Sequence, residues 1–168
     1  IWLHCVLFLK GSVLPCNYLI ISINGIMYQY KAIITKVIDG DTVDVDIDLG
    51  FDVVLKKQRV RLHGINAPES RTRDKVEKKF GLASKQFVKD NMPVGSMQVL
   101  KTEIDKSGED KKGKFGRILG DFIIDDKRLT DTMVAEGYAV AYFGGSKKEI
   151  EMKHMANREK LLREGKVK

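Results

Sequence analysis

Apolar and polar residues alternate most strictly at 43–49, where Val43, Val45, Ile47 and Leu49 interleave with Asp44, Asp46 and Asp48. A period of two sends one row of side chains into a core and the other into water, which predicts a β-strand with one wet face. Upstream, Tyr28 to Ile38 is rich in β-branched and aromatic residues and reads as a strand that turns at Gly40. Gly50 ends the alternating run, and Val53 to Gly64 supplies a third strand, so the pattern predicts a meander.

Beyond the meander the period changes. Ser70 to Lys79 is polar and rich in Lys and Arg, and reads either as a substrate-contacting loop or as a solvated charge run. Phe80, Ala83, Phe87 and Val88 recur at helical spacing through Asn91, with Pro93 and Gly95 as stop signals. Two more strands are predicted near Met97–Ile104 and Phe115–Ile124, joined by a Lys/Gly/Asp-rich turn. Thr130 to Glu136 reads as a short helix closed by Gly137. A last helix starts at Ser146, where Ser146 and Glu149 have capping-box spacing, with Ile150, Met155, Leu161 and Leu162 as its apolar face. No internal repeat is visible. The expected fold is mainly β with helices (α+β): a five-stranded OB-fold-type barrel, one helix between strands three and four, and C-terminal helices. Closure removes the open edges of so small a sheet.

The first 26 residues follow different rules. They hold no Asp or Glu and one Lys, and Lys10, Gly11 and Pro15 cut the apolar run into pieces too short to span a bilayer. The expectation is an apolar leader at 1–26, spurious or vestigial, with Met27 as the natural start and the domain at 27–168; a degenerate export or anchor segment is the alternative. No stable membrane association is expected of the domain. Both cysteines, Cys5 and Cys16, fall in the leader, so a disulfide framework or zinc cluster is excluded from the domain, which is compatible with the cytoplasm or with export. At 168 residues, 43% hydrophobic and 32% charged, the chain has the make-up of one folded domain, and nothing in it requires more than a monomer. The net charge of +7 favours a polyanionic partner, with nucleic acid the commonest.

Three short stretches could carry chemistry. Asp39 and Asp41 flank the Gly40 turn as a pair of hard oxygen ligands, although Asp-Gly is also an ordinary hairpin signal. Arg61, Asn66 and Glu69 come from the end of the third strand and the loop leaving it, where Pro68 stiffens the backbone before Glu69. Arg117 follows Gly116 at a strand start, and two guanidinium groups can grip a phosphate and neutralise charge developing on it. Histidine chemistry is disfavoured: His4, His63 and His154 have no metal-ligand spacing, His63 reads as a strand-face residue, and no Ser or Cys nucleophile motif appears.

Ile-Asp-Gly-Asp-Thr-Val at 38–43, Arg-Leu-His-Gly-Ile-Asn-Ala-Pro-Glu at 61–69 and Lys-Phe-Gly-Arg at 114–117 together resemble the thermonuclease, or staphylococcal nuclease-like, family over about Lys31 to Lys166. The resemblance implies an OB-fold barrel with appended helices and a Ca²⁺-dependent phosphodiesterase of low sequence specificity, acting on DNA and/or RNA to leave 3′-phosphate ends. It implies that Asp41, Asn66 and the Ala67 carbonyl bind Ca²⁺, that Glu69 is the general base, and that Arg61 and Arg117 hold the phosphate. Lys114 and Tyr142 match substrate-contacting positions. Asn66 stands where the pattern usually has Asp, which removes a charge from the metal set, and Phe115 stands where a Tyr hydroxyl often meets phosphate. Degenerate members of such families bind without cutting, so a non-catalytic nucleic-acid-binding module is the competing expectation, and a basic barrel with no polyanion partner is a third.

Overall fold

The computed structural model describes residues 28–104, 112–113 and 116–167. The leader with its cysteines, the Met27 boundary, most of the turn between the fourth and fifth predicted strands, Lys114 and Phe115 lie outside the described residues. In chain order the elements are β1 (Gln29–Asp39), β2 (Thr42–Asp48), β3 (Val54–Leu62), β4 (Ile65–Asn66), α1 (Lys75–Asn91), β5 (Met97–Thr102), β6 (Ile118–Ile124), β7 (Lys127–Arg128), α2 (Leu129–Glu136), β8 (Val140–Ala141) and α3 (Lys147–Arg163).

Strands run in the order β3-β2-β1-β5-β6, and a parallel pairing of β3 with β6 closes the ring. The result is the expected five-stranded mixed barrel, with α1 inserted between the third and fourth barrel strands. The alternating run behaves as its period demands: Val43, Val45 and Ile47 are buried, while Asp44 and Asp46 face out. Their partners in the core include Ile34, Val60, Leu62, Leu100 and Phe122, together with Val88 of α1 and Met92, which caps that helix. Fully buried Phe122 is the largest of these, and its truncation to Ala should cost about 3–5 kcal/mol.

Several boundaries differ from the sequence reading. α1 starts at Lys75, inside the predicted loop, because Asp74 caps it by accepting from the amides of Val76 (2.8 Å) and Glu77 (3.3 Å). β3 ends at Leu62, so His63 lies in a turn with Gly64 (φ 79°) and not on a strand face. Ser146 does cap α3, through the Glu149 amide at 3.3 Å, but the Glu149 carboxylate pairs with Lys153 at 2.9 Å. Of the apolar face predicted for α3, only Leu161 is buried; Met155 and Leu162 are half exposed, because the end of the helix is what meets Phe80 and Val167 in a small second core. The two-residue pairing of β4 with β8 was not predicted, and nothing in a two-residue stretch has a readable period.

Asp121 is a buried charge within β6. Its carboxylate accepts from the Phe122 amide (2.8 Å), the Thr130 amide (3.3 Å), the Thr130 hydroxyl (2.5 Å) and Arg128 Nε (2.8 Å). α2 has no side-chain cap of its own, and Asp121 supplies the anion at its first turn from a neighbouring strand.

Candidate active site

Two hairpin-like returns and one parallel seam converge at an end of the barrel. The Gly40–Asp41 turn joins β1 to β2, and the Asp41 carbonyl accepts from the Leu62 amide at 2.9 Å, which locks the turn to the end of β3. Arg61 lies opposite Thr42 in the β2–β3 register. In the parallel seam Val60 pairs with Ile118 and Arg61 with Leu119, so Arg117, one residue before β6, arrives level with Arg59 and near enough to Arg61 to act on its charge. The closing pairing of the barrel is therefore what brings together two arginines that lie 56 positions apart in the chain.

Close packing of α1 sets the position of Glu69. A Cβ on Gly81 would stand 2.4 Å from the Glu69 carbonyl carbon, and one on Gly40 would stand 2.8 Å from the Ser84 Cβ and 2.9 Å from that of Ala67. Glycine at both places lets the helix lie directly against the Glu69 backbone and the turn directly against the side chains of Ser84 and Ala67. Ala67, Pro68 and Ser70 are buried around Glu69, which alone among them opens outward. Asp39 tethers the same segment by accepting from the Ser70 amide at 3.0 Å.

Ile38, Asp39, Asp41, Thr42, Lys57, Arg59, Arg61, Glu69, Arg71 and Arg117 line one cleft of about 610 Å³. Asp41, side chain 9% exposed, forms an ion pair with Arg61 Nη1 and accepts from Thr42 Oγ1 at 2.9 Å and the Ala67 amide at 3.3 Å. Arg61 Nη2 also donates to the Ile65 carbonyl at 3.3 Å. Burial, followed by the charge of Arg117, lowers the proton affinity of Arg61 from its ordinary value, against the opposing pull of Glu69 and Asp39. Partial burial is also the first cause that raises the Glu69 pKa above the ordinary glutamate value; the charge and hydrogen bonding of Asp39 push it further, and Arg61 opposes. A carboxylate with raised proton affinity beside two guanidinium groups can accept a proton from a nucleophile while an oxyanion is held.

Asp41, Arg61, Glu69 and Arg117 thus share a cleft, as their motifs led one to expect. Asn66 does not line it. Its Oδ1 stands 2.8 Å from His154 Nε2 on α3. Ala67 reaches Asp41 through its N–H. Tyr142 follows β8, donates its amide to the Gly64 carbonyl at 2.7 Å, and is close enough for its phenol to influence Arg61 electrostatically, but it is not a lining residue. His63 meets Phe143 edge-on at 6.3 Å. Arg59, Lys57 and Arg71 were not singled out from the sequence. The first two share the outward row of β3 with Arg61, a signal available in their spacing of two, and Arg71 comes from the basic stretch read as a loop.

The donors suit a hard cation in kind: Asp39 and Asp41 are carboxylates that line one cleft. Among the described residues no group of three His, Cys, Asp or Glu side chains stands close enough to cage an ion alone. The set fits an ion held by one or two carboxylates whose remaining ligands are carbonyls, water and the bound anion.

The structure is thus a closed small barrel in which carboxylates and arginines meet in one cleft. The chain belongs to the family described as staphylococcal nuclease homologues, whose model matches residues 59–167. It is 32% identical over 111 residues to the thermonuclease of Staphylococcus intermedius, an alignment covering 66% of this chain and 59% of that protein. It is 26% identical over 121 residues to endonuclease YhcR of Bacillus subtilis (strain 168), covering 68% of this chain but 9% of that protein. Endonuclease YncB of the same organism is 32% identical over 108 residues, covering 64% of this chain and 46% of that protein. The chain therefore spans less than two thirds of each of these relatives.

Proposed function

We propose that this chain is a nuclease: a Ca²⁺-dependent phosphodiesterase that hydrolyses DNA and/or RNA with little sequence preference and leaves 3′-phosphate ends. The observation that carries the reading is the convergence of Glu69, Arg61 and Arg117 on the cleft that holds Asp41. The nuclease names of the relatives and the +7 charge support it.

Arg61 and Arg117 grip the non-bridging oxygens of the scissile phosphate. Glu69, with its raised proton affinity, takes a proton from the attacking water as its oxygen bonds to phosphorus. The bond from phosphorus to the 5′-oxygen breaks, and the leaving oxygen takes a proton from solvent water as it departs, while Glu69 returns its own proton to solvent. Both guanidinium groups bind the extra charge of the pentacovalent transition state more tightly than that of the ground state, which is the source of acceleration. Ca²⁺, when bound, supplies further electrostatic stabilisation of that charge. Asp41 and the Ala67 carbonyl would hold it, with Asp39 close by; Asn66 joins them only by releasing His154. The role of Asp41 as ligand also requires it to share its charge with Arg61.

The test is hydrolysis of single-stranded DNA and RNA in millimolar Ca²⁺ or in chelator, with end-group analysis of the products. Glu69→Ser and Arg117→Gly should each lower turnover by about a hundredfold or more while the fold survives. Tight binding without cleavage in Ca²⁺ would replace this reading with the non-catalytic module.

A further inference from the structure

The outer face of β3 carries Lys57, Arg59 and Arg61 at intervals of two residues, and its register with β2 is broken at one place. Val45 pairs with Gln58 and Ile47 with Leu55, so Lys56 and Lys57 together oppose the single Asp46. This is a β-bulge, and Lys57 occupies its left-handed position with φ 54°. Asp46 fastens it from both sides: Oδ1 accepts from the Lys57 amide at 2.8 Å and Oδ2 from Lys56 Nζ at 2.9 Å. A bulge re-aims the side chain it carries. Lys57 consequently lines both the catalytic cleft and an adjoining groove of about 550 Å³ formed by Thr35, Lys36, Asp44, Asp46, Lys56, Lys57 and Arg59.

Charge in that groove is unequal: Lys36, Lys56, Lys57 and Arg59 face only Asp44 and Asp46. Both carboxylates are already engaged, Asp44 by Arg59 at 2.7 and 2.9 Å and Asp46 by the bulge. Arg59 is thereby held flat with N–H groups to spare, and Lys57 Nζ makes no hydrogen bond or ion pair among the described residues. Two residues of strand advance about 6.7 Å, a step comparable to that between successive phosphates of an extended single strand.

We propose that Lys57 and Arg59 form a second phosphate subsite, which takes the phosphate next to the scissile one, so that a single strand is held along β3 and longer substrates are preferred to dinucleotides. Lys57, whose ammonium acts on Asp46 only at longer range and is in no ion pair among the described residues, supplies charge, and Arg59, oriented by Asp44, supplies directional donors. The subsite rests on the nucleic-acid reading of the cleft and deepens it.

Fluorescence anisotropy with labelled octathymidylate and dithymidylate, in chelator and over a range of salt, tests it. Lys57→Asn removes the charge with a residue that tolerates the left-handed backbone. The variant should bind the octamer about tenfold more weakly near 50 mM salt, with the log–log salt slope smaller by about 0.7. The ratio of octamer to dimer affinity should fall with it, and Arg59→Gln in an Asp44→Asn background should do the same. Circular dichroism checks that each variant is folded. An unchanged ratio, or equal loss on both oligomers, overturns the subsite alone. A parent protein that binds neither oligomer at low salt overturns the nucleic-acid reading, and the subsite with it.

Discussion

Asn66 on β4 and His154 on α3, 88 positions apart, meet side chain to side chain at 2.8 Å. With Oδ1 as the acceptor, Nε2 of the imidazole carries the proton. Burial, followed by the charge of Arg158, lowers the His154 pKa from its ordinary value, which favours this neutral donor. The contact ties the loop that carries Glu69 to the C-terminal helix, and it occupies the oxygen that a metal would need.

Asn66→Asp puts a carboxylate against that imidazole. The His154 pKa, followed by NMR titration, should rise relative to the parent, because an adjacent anion favours the imidazolium. If residue 66 binds Ca²⁺ directly, the variant should also bind it more tightly by calorimetry. A raised His154 pKa with unchanged Ca²⁺ affinity would assign Asn66 to holding α3 and remove it from the metal set.

Glu69 links activity and stability through pH. Its folded-state pKa is raised, chiefly by burial and then by Asp39. A general base must be ionised, so the acid limb of the kcat/KM profile should lie above the ordinary glutamate range and not within it. For stability the sign is opposite. A carboxyl with a raised folded pKa is most favourable below its unfolded value, and that contribution is lost as pH rises through the folded pKa. Glu69→Gln should therefore abolish turnover and raise Tm at pH 7, with the gain disappearing at pH 3. An unaltered Tm at both pH values would mean that Glu69 is not strained in the native cleft.

The barrel was legible because its signals are local and repeated. Alternation at Val43, Val45 and Ile47, the Asp-Gly and glycine turns, and the Gly137 stop each report on neighbours along the chain. The left-handed Gly137 (φ 85°) closes α2 where its position predicted. The members of the site could be named from motifs, but their meeting could not be read from period or spacing, because Arg61 and Arg117 are joined only by the parallel β3–β6 pairing. Contacts such as Asn66 with His154 and Asp121 with Thr130 were also invisible, since each couples a strand residue to a helix through tertiary packing. The Lys57 bulge follows from a register shift that no single strand encodes.

Gly81 should prove to be a positioning residue. Alanine suits a helix interior better than glycine, so propensity alone predicts a gain of about 1 kcal/mol. Its Cβ would nevertheless meet the Glu69 backbone at 2.4 to 2.5 Å, and either α1 or the Glu69 loop must move. Gly81→Ala should be destabilised by about 1–3 kcal/mol in denaturant melts. Its kcat should fall more than its KM rises, because the base is displaced while the arginines remain. A variant as stable and active as the parent would show that this close approach does not set the position of Glu69.

Asp121 should behave as a structural charge. It is 2% exposed and each of its oxygens is engaged by donors from β6, β7 and α2. Asp121→Ala removes the acceptor for the Thr130 amide and hydroxyl and leaves Arg128 unpaired, which should cost about 2–4 kcal/mol. Thr130→Val, which exchanges the hydroxyl for a methyl group of similar size, should cost about 1 kcal/mol. Turnover at temperatures where both variants are folded should stay near that of the parent, since neither residue lines the cleft.

Arg61 combines two roles that a double substitution can separate. Its side chain is 19% exposed and bonded to an Asp41 carboxylate that is 9% exposed. Arg61→Gly leaves that carboxylate without its cation, and removing one member of a largely buried pair costs about 3 kcal/mol. Both Tm and turnover should therefore fall. Adding Asp41→Asn removes the stranded charge, so the double variant should recover much of the lost Tm while remaining inactive. Saturating Ca²⁺ offers an independent check: a cation bound at Asp41 stabilises the native state by mass action, so it should raise the Tm of Arg61→Gly but not that of the double variant. Equal Ca²⁺ responses in the two would place the ion away from Asp41 and leave the pair a purely structural bond.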